Sequence, residues 1–331
     1  MKSSTAWFLG KNFIRMAVLL FGVSAAAFFL VSVSPVDPLE TNVGQAALGS
    51  MSQEQIARLR DYWGVDLPPV KRFVTWFAGI MRGDMGMSLL YRQPVLKVIG
   101  EKLSNSLWLM AAAWLISGTF GFLMGILAGI RRGGAADRII SAYCLVTAST
   151  PAFWLALVLL MVFAVWLKVL PIGLSVPIGM EASQVGLGDR IAHGILPAAA
   201  LSITGISNIA LHTREKMAEV MESDYVLFAR ARGESAGSVI RRHAVRNIIL
   251  PAMTLQFASI SEIFGGSVLV EQVFSYPGLG QAAVTAGLGG DVPLLLGITV
   301  ISAAIVFMGN FLANVLYGVV DPRIRKGRKT S

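Results

Sequence analysis

The stretch Tyr225-Val226-Leu227-Phe228-Ala229-Arg230-Ala231-Arg232-Gly233-Glu234-Ser235 leads into Val239-Ile240-Arg241-Arg242-His243-Ala244-Val245-Arg246-Asn247-Ile248-Ile249-Leu250-Pro251. It reads as a short helix, a break at Gly233, a second helix, and then an apolar span entered beside a proline. Gly233 permits a backbone turn that a Cβ would resist. Small Ala229 and Ala231 allow another surface to approach closely. Apolar Phe228, Val239 and Ile240 have the size to fill a cleft on a partner. About thirty polar, basic residues with a helical pattern, held between two apolar runs, are expected to form a docking surface.

The remainder of the chain explains why such a loop lies between apolar runs. The 331 residues are 55% apolar and 14% charged, and the mean hydropathy is +0.66. A soluble fold of this length cannot hide that much apolar surface, so a disulfide scaffold, a disordered chain and an ordinary cytosolic enzyme are excluded. An all-α membrane protein is left, with lipid as solvent. Six stretches are long enough to cross a bilayer as helices, near 13–34, 105–130, 139–168, 192–213, 247–272 and 292–320. The first keeps an apolar run from Met16 to Val33, longer than the apolar region of a signal peptide, and is read as an uncleaved span. Continuous rather than alternating runs exclude outer-membrane strands. Residues 1–104 hold the first span and a long outer segment, 105–320 a five-span core containing the 214–246 loop, and 321–331 a basic tail. In the outer segment Ser52 is a candidate N-cap for a helix carrying Ile56, Leu59 and Trp63. Phe73, Trp76, Phe77 and Ile80 recur with the spacing of a second amphipathic helix.

The formal charge of +9 follows the same layout. With the N-terminus inside, three Lys/Arg precede the first span, three lie at 131–138, seven at 214–246 and five in the tail, eighteen of the 28. Both termini are therefore assigned to the cytoplasm, and nucleic acid is not needed to explain the charge.

Chemistry is sparse. Cys144, alone in an apolar run, reads as a small buried hydrophobe. No G-x-x-x-x-G-K-[ST] phosphate loop is present, so ATP is not held by that route. His243 has no acid or base partner at triad spacing and reads as a structural hydrogen-bonding residue; no catalytic group and no metal site are assigned. Glu262 stands well inside the fifth span, where ionisable groups usually face a pathway or a partner. Ser259 and Ser261 are its nearest possible hydrogen-bond partners. Gly265 and Gly266 can thin that helix for packing or for pathway width. Pro151 and Pro197 are expected to bend their spans. His193 and the methionines are possible soft contacts for a metal.

The opening stretch resembles the coupling loop of ATP-binding cassette importer permeases. Ala229, Ala231, Gly233, Ile240 and Leu250-Pro251 take the places of its pattern, and its opening Glu is missing. The Arg242-His243-Ala244-Val245-Arg246-Asn247 run, ending at Pro251, is similar to the peptide and nickel branch. So are Pro35-Val36-Asp37-Pro38, Gly64-Val65-Asp66-Leu67-Pro68, Gly83-Asp84-Met85-Gly86-Met87-Ser88-Leu89, Ser149-Thr150-Pro151-Ala152-Phe153-Trp154, Glu271 to Gly280 and Asp321-Pro322-Arg323. The resemblance implies a type I importer permease fold in the bacterial inner membrane, with a second homologous permease chain, one or two cytoplasmic ATPase subunits and a periplasmic or lipid-anchored binding protein. ATP and Mg would be bound by the ATPases, with no cofactor in this chain. It places ATPase coupling at Phe228, Ala229, Ala231, Gly233, Val239, Ile240, Arg242, His243, Arg246, Asn247 and Pro251. It places the pathway at Glu262, Gly265 and Gly266, and binding-protein contact at Gly83, Asp84, Gly86, Tyr276, Pro277 and Gly278. The run Ser261-Glu262-Ile263-Phe264-Gly265-Gly266 resembles nickel permeases most, so nickel or a metal chelate is the expected cargo and di- or oligopeptides the alternative. A secondary transporter would show an internal repeat and several deep charges; an intramembrane enzyme would show paired catalytic groups. Neither pattern is present in the sequence.

Overall fold

The computed structural model describes residues 2–33, 45–62, 67–175 and 186–320. The sequence readings at 35–38, 63–66 and 321–331 lie outside the described residues. Among the described residues the regular structure is helical, with turns and loops between helices and one isolated bridge, Met87 to Pro94. In order, α1 is Lys2–Val33, α2 Gln45–Ser50, α3 Gln53–Tyr62, α4 Pro69–Met81, α5 Val95–Ile130 and α6 Ala135–Ala148. Then α7, Ala152–Leu159, runs on as a π-turn to Trp166, followed by α8 Leu187–Met221 and α9 Asp224–Ala231. After α10, Ala236–Val239, a π-turn Ile240–Ala244 leads into α11 Val245–Ala258 and α12 Ile260–Val273. The last two are α13 Leu279–Leu288 and α14 Val292–Val320.

Among the described residues five helical runs are long and apolar enough to cross a membrane, and the α6–α7 pair makes a sixth if its two halves are one span. That pair bends by 103° at Ser149-Thr150-Pro151, so the third expected span is broken rather than curved. Pro151 cannot continue α6, and its carbonyl instead accepts from Trp154 and Leu155 as α7 begins. Pro197 lies inside α8 without interrupting it. The fifth span is longer than the sequence suggested. Ala236–Val273 forms one 38-residue helical run, because the π-turn at 240–244 absorbs the register change without a break. The two expected outer helices are present as α3 and α4. Ser52 Oγ accepts from Gln55 N (3.2 Å) while Gln55 Oε1 accepts from Ser52 N (2.9 Å), a reciprocal cap.

The chain divides into two compact units, with boundaries inside α5, after Pro277 and inside α14. The first holds residues 1–105 and 278–307. Its core is aromatic: Phe28 of α1, Phe73 of α4 and Leu296 of α14 are buried together, flanked by Trp76 and Phe77. Asp291, fully buried, accepts from Ser88 Oγ (2.5 Å) and Leu90 N (3.0 Å) and also caps α14 at Leu294 N (3.1 Å). One carboxylate thus pins the 83–94 turn to the start of a span.

The second unit holds residues 106–277 and 308–331. Here α6, α7, α11 and α12 pack on α8. Gly118, Gly121, Gly125 and Gly129 form a stripe along α5. A Cβ at Gly125 would lie 2.7 Å from the Ala210 carbonyl, and one at Gly129 2.7 Å from that of Arg214. The small residues let α5 meet the α8 backbone directly, the usual basis of helix association in lipid. Trp114 Nε1 donates to the Gln256 carbonyl (2.7 Å), and Gln256 Nε2 donates to the Trp114 carbonyl (2.6 Å).

Candidate coupling loop and transport face

The loop between α8 and α11 lies within the second unit. α9 ends in a Schellman arrangement: Gly233 N donates to Arg230 O (2.9 Å) and Glu234 N to Ala229 O (3.2 Å). Gly233 has φ +84, and no atom lies within 4 Å of where its Cβ would be. Glycine is needed there for backbone conformation and not for room. Glu234 then accepts from Ser238 Oγ (3.2 Å) and meets His243 Nε2 at 3.3 Å. Asn247 Nδ2 donates to Tyr225 Oη (3.1 Å) and to the His243 carbonyl (2.7 Å), tying the start of α11 to α9.

Three residues expected at the partner surface, Ala229, Val239 and Ile240, are instead packed within the chain. Val239 is fully buried against Val226 and Ala229, so this pair of small and branched side chains forms the loop's own core. Ile240 is half-buried against the cluster of Met217, Met221, Ala244 and Ile248. The exposed part of the loop is Phe228, 65% exposed, with Tyr225, Leu227, Ala231, Arg242 and Arg246. Arg232 stacks its guanidinium 5.9 Å from the Phe228 ring. Pro251 sits half-buried inside α11.

Beneath the loop, Asp137 of α6 is buried and takes a bidentate bond from Arg214 of α8, with Nη2 at 2.8 Å, and a further bond from Gly133 N (2.7 Å). Sequence reasoning missed this anchor. A lone acid beside Arg131 and Arg132, and an Arg at the end of an apolar run, were the available signal.

Glu262 and Gly265 are exposed on one face of α12. The carboxylate meets Asn208 Nδ2 of α8 at 3.5 Å, the outer limit of a hydrogen bond. Ser259 is not its partner, since its hydroxyl donates to the Gln256 carbonyl (2.8 Å). A Cβ at Gly265 meets nothing within 4 Å, whereas at Gly266 it would reach Leu201 at 3.4 Å. Gly266 therefore serves packing and Gly265 leaves open space. His193 is engaged structurally, its Nδ1 2.7 Å from the Gly173 carbonyl. Among the described residues no three His, Cys, Asp or Glu side chains come together as a metal site.

Of the expected binding-protein contacts, Gly83, Asp84 and Gly86 are exposed, with Gly86 N donating to Asp84 Oδ1 (2.8 Å). Tyr276 and Gly278 are buried, which corrects their assignment as surface contacts; Pro277 is half-buried. Tyr276 N donates to the carbonyl of Glu271, and burial, with the Glu271 charge second, pushes the Tyr276 hydroxyl pKa up. Glu271 itself is fully buried and accepts from Ser106 Oγ (2.6 Å). These residues shape the turn from within.

The profile of the binding-protein-dependent transport system inner membrane component matches residues 121–326. The chain is 32% identical to the oligopeptide transport system permease protein AppB of Bacillus subtilis (strain 168), over 96% of this chain and 99% of that one. It is 31% identical to the di/tripeptide transport system permease protein DppB of Pseudomonas aeruginosa (strain UCBPP-PA14), over 97% and 99%. A crystal structure of an amino acid ABC transporter with histidines superposes with TM-score 0.47 and 17% identity, over 69% of this chain and 94% of that one. The two named relatives are called peptide permeases, so the expected leaning toward nickel is not supported by them. With profile and relatives spanning most of the sequence, the chain belongs to the binding-protein-dependent transport system inner membrane components, the multi-pass permease subunits of ATP-binding cassette importers.

Proposed function

We propose that this chain is one of two permease subunits of an importer for di- to oligopeptides. The observation that carries the reading is end-to-end similarity to permeases named for oligopeptides and for di/tripeptides. Both termini lie in the cytoplasm, on the side rich in Lys and Arg. The 214–246 loop docks on one of the ATPase subunits, which bind ATP and Mg, through Phe228, Ala231, Arg242 and Arg246. Gly233 holds the turn, Ala229 and Val239 hold the loop together, and His243 and Asn247 brace it. A periplasmic or lipid-anchored binding protein delivers peptide at the Gly83-Asp84-Gly86 turn. Glu262 and Gly265 face the pathway shared with the second permease, because an exposed carboxylate in a span is costly against lipid, about 3 kcal/mol near the helix centre.

The continuity of Ala236–Val273 supports a mechanism. Force applied by an ATPase at 236–246 reaches Glu262 along one helical run, through the π-turn at 240–244 and the turn at Ser259. In cells lacking this chain, uptake of a labelled tripeptide should fall to background and return with the intact gene. Nickel uptake should be unchanged; loss of nickel uptake with intact peptide uptake would overturn the peptide reading and restore the nickel one, which the sequence around Glu262 favours.

A further inference from the structure

Within the first unit, α4 sits at an informative depth. The charge-free part of α1, Met16 to Val33, is eighteen residues, about 27 Å at 1.5 Å per residue. A bilayer core of about 30 Å needs all of it. Ser24 and Ser32 on this stretch return their hydroxyls to the Leu20 and Phe28 carbonyls (2.6 and 2.8 Å), so the helix carries no bare polar group there from these two side chains. Phe28 then lies about 8 Å below the end of the span at Val33. The Phe73 ring of α4 is 5.4 Å from Phe28 and 5.8 Å from both Phe29 and Phe21. A second span gives the same depth. Leu296, buried in the same cluster, is four residues, about 6 Å, inside α14 from Val292.

The inner face of α4 is therefore 6–8 Å or more inside the ends of two spans. Beside that face lies an exposed apolar flank: Val70, Val74 and Met81, at i, i+4 and i+11, are 64%, 59% and 74% exposed, while Lys71, Thr75 and Arg82 fall on the far side of the helix. Phe29, Leu30 and Val33 near the end of α1 are likewise exposed apolar residues, 40%, 75% and 83% exposed. Cations mark the ends of α4. Lys71 and Arg72 lie in its first turn and Arg82 at its C-cap, with stems long enough to reach phosphates. The Arg72 guanidinium rests 5.8 Å from the Phe28 ring. An amphipathic helix buried to this depth, with basic ends, fits the boundary between headgroups and acyl chains.

We infer that α4 is an interfacial helix whose Val70-Val74-Met81 stripe is seated in the lipid acyl chains of the leaflet where α1 ends, and is not a surface for a protein partner. This holds whatever the cargo is. The test uses the full chain in phosphatidylethanolamine–phosphatidylglycerol proteoliposomes. Cys144, fully buried, is replaced by Ala, and a nitroxide is placed at Val74→Cys, with Val70→Cys and Met81→Cys as independent positions and exposed Gln53→Cys on α3 as the aqueous control. Collision with oxygen should exceed collision with a water-soluble nickel chelate at the stripe, with the order reversed at Gln53. Chelate collisions exceeding oxygen at the stripe would place it in water. Low collision rates with both would place it under protein. Either result overturns the inference.

Discussion

Of the turns in the second unit that use a left-handed glycine, two are built in opposite ways. Gly233, φ +84, has open space around its missing Cβ. Gly173, φ +60, is jammed: a Cβ there would lie 1.9 Å from the Phe274 carbonyl oxygen. The same carbonyl accepts from Leu174 N (2.8 Å), and Gly173 O is held by His193. Leu174 and Ser275 also have positive φ, so local strain is held by surrounding contacts. The turn at 173 is closed against its own chain. The turn at 233 is satisfied by its own backbone bonds and leaves its outer side free.

Gly173→Ala gives the largest effect that this contrast predicts. Overpacking and a left-handed alanine together should cost about 3–5 kcal/mol. The variant should unfold at a markedly lower temperature in detergent, and an unchanged midpoint would show that the contact at Phe274 yields easily. Asp137→Asn comes next. It leaves Arg214 without its carboxylate, and about 3 kcal/mol is expected, the low end for a broken buried pair because Arg214 keeps 25% exposure. It separates the rigid base of the loop from the turn above it. At Gly233 the cost should be smaller, about 1–2 kcal/mol, and purely conformational. Gly233→Val should insert normally and lose most substrate-stimulated ATPase activity, whereas Gly233→Asn, which tolerates the left-handed region, should keep most of it. Equal loss in both variants would mean that bulk matters after all, and the open side of the comparison would be wrong.

The spans were legible because twenty-residue apolar runs have few alternative fates, and the Schellman glycine was legible from the helical pattern ending at Arg232. Burial within the loop was not. Val239 is apolar and lies in a loop with exposed Phe228, so periodicity alone could not tell an outward contact from a contact with Val226. Tyr276 failed for the same reason. The anchors Asp137, Glu271 and Asp291 were hidden because each pairs across 77 to 203 positions of sequence, with Arg214, Ser106 and Ser88. The α10–α12 run was split in the sequence reading at the change from polar to apolar residues. That change marks a change of solvent and not an end of helix.

Glu262 gives the smallest effect and tests the open side at membrane depth. Its neighbours leave it exposed, with Asn208 at 3.5 Å and vacant space at Gly265. In a water-filled pathway a carboxylate attracts a passing ammonium by about 1 kcal/mol at most, which is about fivefold in an equilibrium constant. Glu262→Gln should therefore raise the KM for a tripeptide with a free amino terminus by up to about fivefold and leave an N-acetylated tripeptide unchanged. The comparison within one variant cancels any general loss of protein. Equal changes for both peptides would mean that the carboxylate supports the helix pair through Asn208 rather than meeting cargo. Turnover driven from the Gly233 loop should be the same in either case, because the helical run that joins them is intact.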